Sequence, residues 1–242
     1  MRVLGIETSG RLCGCAVVED QRVLGEAVSE VPGEHVERLV HLIESVLLET
    51  SVGVEDLHGI AVSLGPGSFT GLRIGLGTAK GICFGTGLPL AGVPTLDAMA
   101  ESVCPWEGNI VPVRDARRGE IYMATYRGLG GSVERTSDYR ALRPEDVGRE
   151  IADLARSGKT VVSGDALDRY GEMLRGTMPD QVVFLPEQHW MPSPAVIAAM
   201  GLRFIEEGRI LDLAASEPLY LRVSEAERQA GKNNGPPGHG TS

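Results

Sequence analysis

The chain has 242 residues, 42% of them hydrophobic, and carries a formal net charge of −10 at pH 7. This length is enough for one large or two small hydrophobic cores. The excess of acidic residues repels a polyanion, which argues against a protein that binds nucleic acid by itself. The four cysteines lack metal-knuckle spacing, and no segment approaches the ~20 apolar residues of a membrane span. We therefore expect a cytoplasmic protein with reduced thiols, no cofactor and no membrane contact.

Hydrophobic periodicity predicts three strands, a helix and then alternating strands and helices in the first half of the chain. The predicted strands cover residues 3–6, 12–18, 23–28, 59–64 and 90–93. The predicted helices cover residues 34–49 and 69–84, and a third begins at Thr95.

The second half repeats this order. Its predicted strands are 110–113, 120–126, one from Val133, 160–163 and 182–185, and its predicted helices are 144–150, one from Ala166, and 194–206. A duplicated unit of this kind, with two sheets facing a cleft, is typical of the actin and sugar-kinase superfold. The predicted fold is therefore α/β and actin-like, with two duplicated domains of mixed sheets flanked by helices. We expect the domains at 1–103, which carries the dimerisation helices, and 104–222, with a disordered tail at 223–242.

The segment from Gly65 to Gly75 joins an apolar strand to a glycine-rich helix. Free backbone N–H groups at a helix N-terminus suit an anion. No Lys precedes Ser68, so the segment is not a Walker loop. It is either a structural turn, which we favour, or a phosphate cradle.

Glu7 and Asp115 each follow the first strand of their half. In actin-like ATPases, paired acids at these hairpins organise Mg²⁺ and water around the γ-phosphate, so a small-molecule kinase or ATPase is the alternative function. Acids after strands are also common turn residues. The candidate vestigial nucleotide or anion site consists of Glu7, Thr8, Ser9, Gly65, Gly67, Ser68 and Asp115.

Two further positions leave alternatives open. Arg117 and Arg118 either hold a carboxylate or phosphate, or form a salt-bridged domain junction with Glu120 or Asp115.

His35 and His41 are six residues apart, about 120° around a helix, so they cannot chelate one ion. We predict no metal site and no catalytic residue.

The helix at 69–84 is rich in glycine and nearly free of charge, and the helix at 34–49 is broadly apolar. One sheet cannot cover both, so one face meets a second chain, unless both helices are buried within their own domain. The predicted interface residues are His35, Leu39, Leu42, Val46, Gly71, Gly75, Thr78, Gly81 and Gly85.

Four blocks of the sequence resemble the TsaB (YeaZ-like) family. They are Gly5-Ile6-Glu7-Thr8-Ser9, the Gly65 to Gly75 run, Asp115-Ala116-Arg117-Arg118-Gly119-Glu120-Ile121-Tyr122 and Pro218-Leu219-Tyr220-Leu221-Arg222. The resemblance implies a subunit of the bacterial machinery that attaches a threonylcarbamoyl group to the adenosine beside the anticodon of tRNA. It implies a non-catalytic scaffold that supports a TsaD-like catalytic paralogue, together with a TsaE-like ATPase. It also implies a homodimer when the chain is alone, and contact with tRNA only through the complex.

Two positions depart from the pattern of this family. Arg114 stands where members usually have an aliphatic residue, and Ala166 replaces a common glycine after Asp165. The resemblance holds despite both departures.

Overall fold

The computed structural model describes residues 1–30 and 35–221, except for the side chains of residues 35–37. The predicted tail at 223–242 lies outside this range. In the described part, no helix is long and apolar enough to span a membrane.

The first sheet has five strands in the order β3-β2-β1-β4-β5. These are β1 (Arg2–Glu7), β2 (Leu12–Glu19), β3 (Arg22–Glu30), β4 (Gly59–Gly65) and β5 (Leu90–Pro94). The pairs β1–β2 and β2–β3 are antiparallel, whereas β1–β4 and β4–β5 are parallel. Strands β1, β2 and β4 are buried along most of their length, which explains their continuous apolar sequence.

The second sheet repeats this topology. Its main path is β10-β7-β6-β11-β12, with antiparallel pairs on one side of β6 and parallel pairs on the other. These strands are β6 (Glu107–Arg117), β7 (Glu120–Met123), β10 (Arg140–Leu142), β11 (Thr160–Ser163) and β12 (Val182–Phe184). Two more, β8 (Tyr126–Leu129) and β9 (Val133–Arg135), extend from β6. The duplicated order confirms the predicted actin-like and sugar-kinase architecture.

Helices cover both faces of the first sheet. They are α1 (His35–Thr50), α2 (Phe69–Thr86), α3 (Thr95–Glu101) and α6 (Pro194–Glu206), and the second sheet carries α4 (Pro144–Ser157) and α5 (Ala166–Arg175). Leu4 packs in the core beneath α1 and α2, whereas its neighbour Val3 packs in the core beneath α6. Because alternate residues of a strand face opposite sides, α6 lies across the sheet from α1 and α2.

The structure differs from the predicted elements in the second half. The predicted strand 120–126 is two strands, because the eleven-residue β6 pairs with β7 along its C-terminal half and with β8 along its N-terminal half. Strand β10 was not predicted, since its three half-buried residues have no alternating pattern. Helix α4 continues past the predicted end at 150 to Ser157.

The last helix packs on the first sheet, although the sequence places residues 194–206 in the second domain. A Cβ at Gly5 of β1 would lie 2.5 Å from the backbone nitrogen of Ala198, so strand and helix approach at backbone distance. The chain then stays with this sheet, because Leu211 N donates to Leu90 O at 2.7 Å and Leu219 N to Leu64 O at 2.7 Å. The chain thus returns from the second sheet to the first after β12.

Replacing Gly201 with Ala tests this contact. A Cβ at Gly201 would lie 2.1 Å from the Cβ of Ala61, so α6 must shift. We expect the free energy of unfolding to fall by about 1–3 kcal/mol, as measured by denaturant unfolding. The matched control is Gly77→Ala, because Gly77 is also helical but has no atom within 4 Å of a built Cβ. The control should gain about 0.5–1 kcal/mol, and an equal gain in Gly201→Ala would contradict the close packing.

Candidate functional site

A cleft of about 740 Å³ separates the two sheets. It is lined by the loop after β1, the loop between β4 and α2, the hairpin between β6 and β7, the start of α5, and the last described residues. Four of the predicted anion-site residues line it, namely Ser9, Gly67, Ser68 and Asp115. The other three, Glu7, Thr8 and Gly65, are fully or almost fully buried behind this lining.

The loop between β4 and α2 is held against the loop after β1. Ser68 N donates to Ser9 O at 2.6 Å, and the Ser68 hydroxyl caps α2 by accepting from Gly71 N at 3.3 Å. A Cβ at Gly67 would lie 2.3 Å from Ser9 O, so only glycine permits this approach. The loop therefore makes close contacts within the chain, and it also places the N-terminus of α2 at the cleft.

The glycines of α2 do not form one surface. A Cβ at Gly71 would lie 2.0 Å from Thr8 O, and one at Gly75 would lie 2.2 Å from the Thr8 hydroxyl. Both positions are therefore filled from within the chain, which corrects their prediction as partner contacts. At Gly77, Gly81 and Gly85 a Cβ would meet no atom within 4 Å.

The predicted interface residues of α1 also differ in burial. Leu39 and Val46 are completely buried in the core of the first sheet, so they are not available to a partner and their prediction is corrected. Leu42 is half-buried, as is Thr78 on α2. The side chain of His35 lies outside the described residues.

Glu7 is buried at the end of β1, where its Oε1 accepts from Ser9 N at 2.5 Å. Burial raises the pKa of this carboxyl, although the hydrogen bonds of Ser9 and the charge of Arg114 oppose the shift. The carboxyl is thus a turn residue beneath the cleft.

Arg114 links the two halves of the molecule. Its side chain is 3% exposed, and its guanidinium donates to the Ser9 hydroxyl at 2.8 Å, to Ser9 O at 2.9 Å and to Asp165 at 3.3 Å. Asp165 also accepts from Asp115 N at 3.0 Å. We did not include Arg114 or Asp165 in the predicted site. The available signal was an arginine within an otherwise apolar strand, at the position where the sequence departs from its family.

The hairpin after β6 has unusual backbone geometry. Arg118 and Gly119 form a two-residue turn between the paired residues Arg117 and Glu120. Arg117, Arg118 and Gly119 have φ angles of 59°, 54° and 81°. Positive φ at both central residues is typical of a type I′ turn, in which Asn-Gly is preferred, so the arginines hold a strained conformation. Arg117 N donates to Asp115 Oδ1 at 2.7 Å.

Metal-binding residues do not cluster in the described part of the chain, where no group of three or more His, Cys, Asp or Glu side chains is placed to hold an ion. His41 is exposed and lies 3.5 Å from Glu44 of the same helix. The predicted absence of a metal remains a prediction.

The fold and its cleft define an α/β protein of the actin-like and sugar-kinase class. The family model "TsaD: tRNA N6-adenosine threonylcarbamoyltransferase" matches residues 28–187. The "tRNA threonylcarbamoyladenosine biosynthesis protein TsaB" of Escherichia coli is 32% identical over 233 residues, which cover 93% of this chain and 96% of that protein. The Bacillus subtilis protein of the same name is 27% identical over 227 residues, covering 94% and 96%.

Among solved structures, YeaZ from Pseudomonas aeruginosa superposes with a TM-score of 0.77 at 24% identity, covering 91% of this chain and 99% of that one. This similarity shows the same fold. The chain belongs to the TsaB (YeaZ-like) family of tRNA threonylcarbamoyladenosine biosynthesis proteins.

Glu7→Gln tests the buried carboxyl. Its pKa is raised above the ordinary 4.5 by burial, so the folded state binds this proton more tightly than the unfolded state. The resulting stability is present below pH 4.5 and is lost as the pH rises through the folded pKa. Glutamine keeps the acceptor for Ser9 N without the charge, so we expect a higher melting temperature than the native chain at neutral pH. The difference should shrink below pH 4.5.

Melting curves from acid to neutral pH measure this difference. A Glu7→Gln chain that is less stable than the native chain only at neutral pH would show that the native fold requires an ionised carboxylate, contrary to this account.

Proposed function

We propose that this chain is a non-catalytic dimerisation and scaffold subunit of the bacterial tRNA threonylcarbamoyladenosine modification complex. In this role it supports a TsaD-like transferase, which is a paralogue of the same fold. Membership of the TsaB family supports the pathway. The observation that carries the scaffold role is one exposed face of α1 and α2, which bears large apolar side chains and glycines.

This helix face is defined by Val40 and Leu48 of α1 and by Gly77, Gly81, Phe84 and Gly85 of α2. Phe84 is 88% exposed and Leu48 is 81% exposed, although both are large and apolar. The two helices contact each other on one side of the first sheet. Exposed apolar side chains beside glycines let another backbone approach closely, so the face suits a partner helix pair.

The cleft supports the absence of catalysis by this subunit alone. A kinase or ATPase of this fold needs acids that hold Mg²⁺ beside the γ-phosphate. Here Glu7 is turned inward to Ser9, and Asp165 accepts from Arg114 and from the backbone of Asp115. The alternative of a small-molecule kinase or ATPase is therefore not favoured.

The proposal also covers the other partners of the chain. We infer that the chain also meets a TsaE-like ATPase within the complex, that it forms a homodimer through the helix face when the paralogue is absent, and that it reaches tRNA only through the complex. This work takes place in the cytoplasm, where the tRNA substrate is. We further propose that residues 1–103 provide the dimerisation surface and that 104–222 forms the second domain, with α6 returning to the first.

Gly81→Leu tests the helix face. A Cβ at Gly81 meets no atom within 4 Å, so we expect the melting temperature to stay equal or rise, since glycine is disfavoured within a helix. The added side chain would hold a partner helix away, and association with the paralogue should weaken by at least about fivefold, since overpacking costs about 1–3 kcal/mol. Co-purification with the TsaD-like paralogue measures the association of the two proteins. Sedimentation of the isolated chain measures the homodimer.

The matched control is Gly131→Leu, because a Cβ at Gly131 also meets no atom within 4 Å but lies between β8 and β9. Association should be normal in this variant. If both variants are folded and associate equally well with the paralogue, the interface lies elsewhere. ATP hydrolysis by the chain alone would favour the alternative function of a kinase or ATPase.

The isolated chain should not bind tRNA. Its net charge of −10 leaves little net attraction for phosphates, and phosphate contacts supply most of the non-specific affinity for nucleic acid. We expect no gel shift of unmodified tRNA at micromolar protein and about 0.15 M salt. Addition of the paralogue should restore binding if tRNA is reached through the complex. A shift with this chain alone would contradict the proposal.

A further inference from the structure

A second pocket, of about 460 Å³, lies at the end of β6 that is remote from the cleft. Its walls are the first residues of β6, the strand β8 and the loop between α4 and β11. The side chains that line it include Glu107, Arg127, Leu129 and Lys159. The cleft lies at the other end of β6, so the two cavities have no residue in common.

The pocket holds charges of both signs that do not pair. Glu107, Arg127 and Lys159 are all exposed, and none of them forms an ion pair with another residue in the described part of the chain. Unpaired charges of opposite sign around one concavity complement a ligand that itself carries both signs. A simple anion would leave the carboxylate of Glu107 without a partner.

The register of β6 and β8 sets the spacing of these charges. Glu107 pairs with Leu129, and Asn109 pairs with Arg127. Opposed residues share a face of the sheet, as do residues two apart, so these four side chains lie on one face. Glu107 and Arg127 belong to rows that are two residues apart, which is about 6.5–7 Å along a strand. An α-amino acid spans such a gap with a hydrogen bond of about 2.9 Å at each end, because one carbon joins its ammonium and its carboxylate.

A buried amide holds the positive end of the pocket in place. Asn109 is 5% exposed, and its Oδ1 accepts from the guanidinium of Arg127 at 3.1 Å. Its Nδ2 donates to Leu154 O at 2.9 Å and to the Thr160 hydroxyl at 3.1 Å. These bonds fix the amide and satisfy a carbonyl in the last turn of α4. Arg127 is thereby oriented, with its remaining N–H donors available for a carboxylate.

The loop before β11 adds further donors. Gly158 and Lys159 both line the pocket, and neither backbone nitrogen donates to an acceptor among the described residues. A Cβ at Gly158 would lie 3.9 Å from the guanidinium of Arg127, so the loop and this side chain adjoin. Two cations and successive backbone N–H groups together form a donor set suited to a carboxylate.

We propose that this pocket binds a free α-amino acid with an apolar side chain. The carboxylate lies between Arg127 and Lys159, and the ammonium lies at Glu107. The side chain of the amino acid packs on Leu129, which is 58% exposed although it is large and apolar. The volume of about 460 Å³ is within the range of small-molecule sites, roughly 300–1,000 Å³. The site goes beyond the scaffold function and stands or falls independently of it.

Calorimetric titration of the full chain with L-leucine tests the proposal. We expect saturable binding of one L-leucine per chain at neutral pH. Two analogues each remove one charge, since isocaproate lacks the ammonium and L-leucinamide lacks the carboxylate. Each should bind at least about tenfold more weakly, because a charge-assisted contact is lost. Binding of isocaproate as tightly as L-leucine would overturn the proposal, since the pocket would then be a simple anion site.

Two variants separate the ends of the pocket. Glu107→Gln should weaken L-leucine at least about tenfold but leave the affinity for isocaproate equal or higher, because the lost carboxylate contacts only the ammonium. Lys159→Gln should weaken both ligands. Neither charged group has a partner among the described residues, so both variants should keep the native melting temperature.

The matched control is Arg149→Gln, which removes one positive charge as Lys159→Gln does. Arg149 lies on α4 outside the pocket and pairs with Asp146, so this variant should bind L-leucine with native affinity.

Absence of L-leucine binding by the folded native chain would refute the site. Native affinity for L-leucine in Glu107→Gln or Lys159→Gln would refute it as well, and so would L-leucinamide that binds as tightly as L-leucine. None of these outcomes bears on the scaffold function, because association with the paralogue is measured on the helix face through Gly81→Leu.

Discussion

The close approach of α2 to the end of β1 is the constraint on which the rest of the molecule depends. Gly67 and Gly71 contact the backbone of residues 8 and 9, and Gly75 contacts the Thr8 hydroxyl, at distances that leave no room for a side chain. Each helical glycine costs about 0.5–1 kcal/mol relative to alanine. This arrangement orients one end of α2 toward the cleft and leaves its other end, from Gly77 to Gly85, on the surface.

A second buried interaction joins the two halves of the molecule. Arg114 of the second sheet reaches the loop after β1, and its pairing with Asp165 compensates its charge in a nearly buried site. Removing one partner of such a group leaves an uncompensated buried charge, so the two residues act as a unit. Asp165 also accepts from the backbone nitrogen of Asp115, so one carboxylate holds both Arg114 and the end of β6.

The two surfaces of α2 have different chemistry for a simple geometric reason. Its N-terminal turn carries unpaired N–H groups and meets arginines and aromatic rings, whereas its later turns carry exposed glycines and Phe84. One end of the helix therefore faces the cleft, whereas its later turns present exposed residues to the surface.

The sequence by itself determined the order of the elements in the first half, the duplication and the family. Strands such as β1 and β4 are continuous apolar runs and α1 has a clear 3.6-residue period, so local patterns were sufficient. Only the tertiary structure decided which glycines of α2 are filled from within and that α6 returns to the first sheet. It also decided that Glu7 faces inward and that Arg114 joins the two halves. These features depend on contacts between residues more than 50 positions apart, which no local period encodes, because spacing along a helix shows which residues share a face but not what covers that face.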